Sequence, residues 1–233
     1  MAKEPLILVP GVLCDADLYR DQVPALAAHA DVSITMEQAR HDTLPAIARA
    51  ILDAAPPRFA LCGLSMGGII AFEIMRQQPG RVSRLALLDT NARNILADER
   101  KVREGRMQLV ANGHVDVMIG LQLSRFIPLT RLGDEVLVDR VLKMVRRVGA
   151  ATYLRQERAL LQRVDSRPSL GAIACPTLVL CGREDAATPL IMSQEIAAAI
   201  PGAKLEIVEE CGHLSTMEQP EAVNAALLRW LGM

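Results

Sequence analysis

Apolar and polar positions along this chain alternate between two periods. Short unbroken apolar runs, the mark of strands buried on both faces, are separated by stretches in which apolar residues recur every three or four positions. Pro5-Leu6-Ile7-Leu8-Val9-Pro10 predicts a first strand that stops at Pro-Gly, Leu18 to His29 a helix, and Val32-Ser33-Ile34-Thr35-Met36 a second strand. Between Thr43 and Ala54, Leu44, Ile47, Ala48 and Ile51 fall at i, i+3, i+4 and i+7, and Thr43 stands where it can cap the helix. Phe59-Ala60-Leu61-Cys62 predicts a third strand, Ile69 to Met75 a helix stopped by Pro79-Gly80, and Arg84 to Asp89 a fourth strand.

The alternation then breaks. Residues 91–170 carry no strand pattern and fit helices at about 97–112, 114–125, 134–148 and 150–164. In the third of these, Leu137, Val141, Met144, Val145 and Val148 form an apolar stripe opposite Asp139, Arg140, Lys143, Arg146 and Arg147. The segment reads either as a plain helical subdomain or as a cap folded over an active site. After Pro176 the strand pattern returns at Thr177–Cys181 and Lys204–Glu209, with helices over Leu190–Ile200 and Glu218–Leu231. Strands alternating with helices predict an α/β fold with a mostly parallel sheet covered on both faces. The domain reading is a core of residues 1–90 and 171–233 with a helical cap at 91–170.

Composition narrows the class. At 233 residues the chain suits one large domain, or one domain with an insertion; it is 51% hydrophobic but only 3% aromatic, so its core must be largely aliphatic. A net charge of −1 gives no general attraction to nucleic acid or to an anionic membrane. Met1-Ala2-Lys3-Glu4 runs straight into the first strand, with no signal-peptide core and no span of about 20 apolar residues, which predicts a cytoplasmic protein. The five cysteines, at 14, 62, 175, 181 and 211, form no C-x-x-C pair and read as free thiols in a reducing compartment. Cys211 and His213 lack the further ligands a zinc site needs, and no metal or cofactor is expected.

Candidate chemistry enters at Gly63-Leu64-Ser65-Met66-Gly67, a G-x-S-x-G pattern lying between a predicted strand and a predicted helix. In that context small glycines allow a sharp turn that holds a serine hydroxyl above the sheet edge, which makes Ser65 a candidate nucleophile. A serine needs a base to take its proton, and the base needs an acid to orient it. Of the four histidines, His29 ends a predicted helix, His41 lies in a polar connection and His114 lies between helices of the insertion, where it could reach a pocket. His213 instead follows the last strand, in a loop at a strand's carboxyl end, where α/β sheets place ligands. Asp185, in Gly182-Arg183-Glu184-Asp185, precedes it by 28 residues, enough for one helix and one strand. Asp89, which also ends a strand, and Glu184 are its rivals as the acid.

With these residues the chain resembles the α/β-hydrolase superfamily, and its small serine esterase and enol-lactonase branch in particular. The resemblance runs through Val9-Pro10-Gly11, Gly63 to Gly68, Gly182 to Asp185 with Thr188-Pro189, and Cys211-Gly212-His213-Leu214 followed by Glu218-Gln219-Pro220. It implies Ser65 as nucleophile, His213 as general base and acid, and Asp185 as its orienting partner. It implies an oxyanion hole of backbone N–H groups, one from Met66 after the nucleophile and one from the first loop. Pro10-Gly11 stands where the family usually has His-Gly, so Val12 is the matching donor and Leu13 the alternative. The family often begins with two antiparallel strands that this chain lacks, so a reduced sheet of about six strands is expected.

A serine nucleophile argues against the family's dehalogenases and epoxide hydrolases, as does the presence of only Tyr19 and Tyr153. Carboxylesterase, lactonase, thioesterase, carbon–carbon hydrolase and acyltransferase remain, and a slow ligand receptor stands outside the enzyme classes. Leu13, Cys14, Phe126 and Leu214 are candidate substrate contacts, and Met107, Met118, Leu121, Leu123 and Ile127 either line an acyl pocket or pack as core. Residues 91–170 carry 15 Lys and Arg against 9 Asp and Glu, and the remainder 11 against 18. That asymmetry either steers an anionic ester or lactone or only solvates helix faces.

Overall fold

The computed structural model describes residues 3–232. Six strands, β1 (Glu4–Val9), β2 (Ala30–Ile34), β3 (Phe59–Leu64), β4 (Val82–Leu88), β5 (Thr177–Gly182) and β6 (Lys204–Val208), form one sheet. Their order is β2-β1-β3-β4-β5-β6, and every neighbouring pair is parallel. Every residue of β3 and β5 is buried, whereas the edge strands β2 and β6 keep exposed or half-buried positions. The unbroken apolar runs are thus the inner strands, and the mixed runs are the edges.

Helices α1 (Gln22–Ala27), α2 (Leu44–Ala54) and α3 (Met66–Gln77) join the first four strands. Between β4 and β5 lie α4 (Ala97–Ala111), α5 (Val115–Phe126) and α6 (Glu135–Leu161), followed by α7 (Leu190–Ala199), α8 (Ser215–Glu218) and α9 (Pro220–Leu231). Thr43 caps α2 by accepting a hydrogen bond from the Ala46 N–H. The two helices expected at 134–148 and 150–164 are the arms of α6, broken where Gly149 takes φ 75°. Among the described residues no helix is long and apolar enough to cross a membrane.

Two helices differ from expectation for a local reason, and one edge strand is shifted. The helix expected at Leu18–His29 is a 3-10 turn at Ala16–Tyr19 followed by the short α1. Pro24 has no N–H to give to residue 20, so an α-helix can include it only within a first turn. The helix expected at Glu218–Leu231 is divided into α8 and α9 at Gln219 (φ −136°), because Pro220 drives the preceding residue out of helical geometry. Strand β2 begins and ends two residues earlier than Val32–Met36, in register from Glu4 opposite Ala30 to Leu8 opposite Ile34.

The topology selects one crevice. β2 lies to one side of β1 and β3 to the other, so the loops leaving β1 and β3 part at the sheet's switch point. Above that edge sits the α4–α6 insertion, and much of its basic excess is paired with the core. Arg140 meets Asp17 at 3.0 Å and Asp21 at 2.5 Å, and Arg147 meets Asp15 at 2.7 Å and Asp17 at 2.9 Å. Burial raises the Asp17 carboxyl, but the hydrogen bonds from Arg147 and Arg140 outweigh it and hold the pKa below the usual carboxylate range. Gln156 of α6 also accepts the Leu13 N–H at 3.0 Å, within the loop after β1.

Candidate active site

At the end of β3 the chain enters α3 through a single residue. Ser65 takes φ 55° and ψ −114°, a strained region that costs a non-glycine residue about 1–3 kcal/mol. Its neighbours hold it there: the Ser65 N–H donates to the Leu88 carbonyl at 2.9 Å, and the Thr90 hydroxyl donates to the Ser65 carbonyl at 2.7 Å. A Cβ on Gly63 would strike the backbone of Gly67, and one on Gly67 would strike the Val9 carbonyl. The motif's glycines therefore permit the close approach of strand, elbow and helix.

Three side chains from three separate loops meet in one line. Ser65 Oγ lies 2.9 Å from His213 Nε2, and His213 Nδ1 lies 2.9 Å from Asp185 Oδ2. Asp185 is fixed by the turn after β5: its Oδ1 accepts from the Ala187 and Thr188 N–H groups, both at 2.8 Å, and its Oδ2 from the Thr188 hydroxyl at 2.6 Å. An ionised acceptor at Asp185 makes His213 Nδ1 the donor, which leaves Nε2 to accept the serine proton. His213 is 2% exposed, its backbone N–H donates to the Phe126 carbonyl at 3.1 Å, and its ring stacks on Phe126 with centroids 5.9 Å apart. Such a line can activate a hydroxyl as a nucleophile and store the resulting positive charge beside a carboxylate.

The electrostatics follow from burial and from these neighbours. Burial alone lowers the His213 pKa, but the Asp185 carboxylate outweighs it, with Asp89 and Glu218 adding, and raises the imidazole above its usual value. Burial alone raises Asp185, and the charge and hydrogen bond of His213 pull it below the usual carboxylate range. Asp89 differs. It is fully buried and accepts from the Gly182 N–H at 2.9 Å and the Ser215 hydroxyl at 2.5 Å, and among the described residues it makes no hydrogen bond to His213. Burial, with the Asp185 charge adding, pushes its carboxyl well up.

Asp89, Asp185 and Cys181 bring metal-ligand atoms within 4.8 Å of one another. All four carboxylate oxygens already accept protein hydrogen bonds, and burial raises the Cys181 thiol far above its ordinary pKa. That donor set fits a buried acid network better than an ion site. Glu184 is exposed and, among the described residues, accepts only from the Thr130 hydroxyl; His114 is exposed and does not line the cavity above Ser65.

Two residues that supported no role in the sequence prove to position the line. Thr188 grips Asp185, and Glu218 carries the histidine loop, its carboxylate accepting the Gly212 and Leu214 N–H groups at 2.9 Å each. Burial pushes Glu218 up to about 7. Both residues lie in short runs already singled out, Thr188-Pro189 and Glu218-Gln219-Pro220, but only the folded loops show what their oxygens hold.

The line opens on a cavity of about 320 Å³ whose floor includes Val12, Ser65, Met66 and His213. A Cβ on Gly11 would stand 3.2 Å from Ser65 Cβ, so the first loop passes directly over the elbow. Among the described residues the N–H groups of Val12 and Met66 meet no protein acceptor, whereas the Leu13 N–H donates to Gln156. Met66 opens α3, where free N–H groups and the helix dipole favour negative charge. Phe126 lines the cavity as expected of a substrate contact; Leu13, Cys14 and Leu214 are buried outside it. Leu13 points into the packing between α5 and α6, and burial raises the Cys14 thiol far above its ordinary range.

For the methionines and leucines singled out in the insertion two readings are open, acyl pocket or core, and the cavity lining does not include these residues. Met118 and Ile127 are core, Leu121 is 54% exposed, and neither Met107 nor Leu123 lines the cavity. The helices pack their apolar faces on each other and turn Glu99, Arg103, Arg106, Gln122 and Arg125 to the cavity. The signal was present in α4, where Glu99, Arg103 and Arg106 recur at helical spacing.

Comparison with known proteins agrees with this architecture. Residues 6–226 match the model of the alpha/beta hydrolase family. The chain is 29% identical over 218 residues to a pimeloyl-[acyl-carrier protein] methyl ester esterase of Aromatoleum aromaticum, covering 87% of this chain and 83% of that one. A thermophilic esterase of Thermogutta terrifontis, solved with malate bound, superposes with a TM-score of 0.90 at 25% identity, over 99% of this chain and 90% of that one. The enol-lactonase of Burkholderia xenovorans LB400 shares the fold, with a TM-score of 0.88 at 23% identity over 100% of this chain and 93% of its own. The chain belongs to the alpha/beta hydrolase family.

Proposed function

We propose that the protein is a serine hydrolase that cleaves a small carboxylic ester through an acyl-enzyme intermediate. The observation that carries this reading is the pair of 2.9 Å contacts from Ser65 to His213 and from His213 to Asp185 at the floor of a cavity. Ser65 Oγ attacks the ester carbonyl carbon while His213 Nε2 takes its proton. The tetrahedral oxyanion is held by the N–H groups of Val12 and Met66, with the α3 dipole behind it. His213 gives its proton to the leaving alkoxide, and the acyl group remains on Ser65. Water then gives a proton to His213 and attacks the acyl carbonyl, and collapse returns the proton to Ser65 and frees the acid. Asp185 stabilises the imidazolium formed in each half. The α4–α6 insertion acts as the cap of this cavity, with Phe126 steadying both the ring and the backbone of His213. A lactone is an internal ester, and the same groups would open one by the same steps.

The test is hydrolysis of p-nitrophenyl esters from acetate to dodecanoate by wild type and by Ser65→Ala. Expected is turnover with a short-chain optimum that the variant loses by about 10⁴-fold or more. Wild-type rates in a folded Ser65→Ala protein would remove the serine from the chemistry.

A further inference from the structure

We infer that Arg106 and Arg125 form a carboxylate-binding site in the cavity above Ser65, so that the substrate is a small ester bearing a free carboxylate. The ester half of this statement rests on the serine hydrolase reading; the anion half rests on the arginines alone.

Five arginines line the cavity, and three of them are matched by carboxylates. Arg93 meets Glu195 at 2.8 Å, Arg103 meets Glu157 at 2.8 Å, and Arg163 meets Glu99 at 2.7 Å. Glu99 also receives Arg103 at 3.0 Å, so these three acids are fully engaged. Arg106 and Arg125 remain. Among the described residues neither has a carboxylate within ion-pair distance, and the hydrogen bond Arg125 does make, to the Ala187 carbonyl, is long at 3.4 Å. Arg163 adds a buried donor: its Nε and Nη2 are taken by the Arg93 carbonyl and Glu99, while its Nη1 has no partner among the described residues.

Two half-buried guanidinium groups on the wall of one cavity, neither with an ion-pair partner among the described residues, repel each other more strongly than they would in water. Burial first, then the charges of Arg106 and Arg103, holds Arg125 below the ordinary arginine pKa, with Glu99 and Asp185 opposing. An anionic ligand relieves that repulsion, and the planar guanidinium fork matches a carboxylate in geometry. Size narrows the choice. A volume of about 320 Å³ stands at the small end of ligand pockets, which run from roughly 300 to 1,000 Å³. It suits a hemiester of a short dicarboxylic acid.

The experiment compares monomethyl glutarate with methyl 5-methylhexanoate, an ester of the same shape whose isopropyl end replaces the carboxylate. Binding is measured by calorimetry on Ser65→Ala, and methanol release on wild type, Arg106→Gln, Arg125→Gln and the double variant, with melting temperatures as a check on folding. Expected is preferential binding of the hemiester, a wild-type kcat/KM ratio favouring it by about 10- to 100-fold, and collapse of that ratio toward one in the double variant, mainly through KM. Equal handling of both esters by the wild type overturns the anion site while leaving the esterase reading intact, and needs no variant that folds. Hemiester binding to Ser65→Ala that depends on the arginines, without turnover by wild type, supports the anion site and overturns the esterase reading. Absence of hemiester binding overturns the inference.

Discussion

The sheet's carboxyl edge and the helical insertion above it contribute to one cavity by different means. At the sheet edge, position is imposed by backbone. Ser65 is held in a strained turn by glycine contacts and main-chain hydrogen bonds, and Asp185 is held by two N–H groups of its own turn. In the insertion, position is imposed by side chains: arginines set against Glu99 and Glu157 within it, and against Asp15, Asp17 and Asp21 below it. Backbone devices tolerate almost no substitution and require glycines or specific turn residues at fixed spacing. Ion pairs can be built from many sequences, and their free energy ranges from several kcal/mol when buried to almost nothing in water.

The sharpest way to break the comparison is at the two buried acids of the sheet edge. Asp185→Asn should lower kcat by about 10³- to 10⁴-fold, because the amide can hold the histidine in the wrong tautomer and no longer offsets the imidazolium charge. Asp89→Asn should cost less than about tenfold, since its oxygens serve the Gly182 N–H and the Ser215 hydroxyl rather than His213. Steady-state kinetics that reverse this ranking would move the working acid to the end of β4. The pH profile adds an independent reading. His213 must be neutral to accept the serine proton, and its pKa is raised, so kcat/KM of wild type should climb with pH along a limb lying above 6.5. Asp185→Asn removes the largest raising influence, and the residual activity should show that limb displaced toward acid.

The difference between the regions also explains how much of the site could be read in advance. Gly63, Ser65 and Gly67 stand out in sequence as a motif between a strand and a helix, and Asp185 and His213 as an acid and a histidine in loops that follow later strands. The sheet itself was legible from its apolar runs: β3 is apolar throughout and β5 in all but Thr177, and both are buried throughout. Glu218 could not be read this way. It works through two oxygens on the backbone of a loop that closes only when α8 folds against it. The insertion arginines were visible only as an excess of charge. Nothing local separates Arg140, which docks on Asp17 and Asp21, from Arg106, which lines the cavity. Partners in a pair such as Arg147 and Asp15 are 132 positions apart, so pairing is a property of the fold. The breaks at Pro24 and Pro220 went unread, although proline chemistry accounts for both.

Within the insertion, the deepest ion pair should carry the largest effect on stability. Glu157 has a side chain 0% exposed, and Arg103 receives it through two contacts at 2.8 and 3.0 Å. Arg103→Met leaves that carboxylate buried without its counter-charge and should cost about 3–5 kcal/mol in chemical denaturation. Replacing both partners, Arg103→Met with Glu157→Leu, should recover most of the loss, because the main penalty comes from the uncompensated charge. A single variant as stable as wild type would mean that Glu157 finds another donor or a proton, and the insertion would then be less dependent on pairing than its contacts indicate.

Among the pairs that join the two regions, the exposed one at Arg147 should matter least. Arg147 is 48% exposed and meets Asp15 and Asp17 at the surface, where water screens the charges. Arg147→Gln should therefore lower stability by about 0.2–1 kcal/mol, and the difference from wild type should shrink further in 1 M salt. Arg140, only 12% exposed and contacting both Asp17 and Asp21, should cost more than Arg147 when replaced by Gln, and its loss should be less sensitive to salt. Denaturation curves at low and high salt separate the two. If both variants lost the same stability with the same salt response, burial would not grade these contacts, and the docking of the insertion would depend on the Gln156 bond to the first loop and on apolar packing instead.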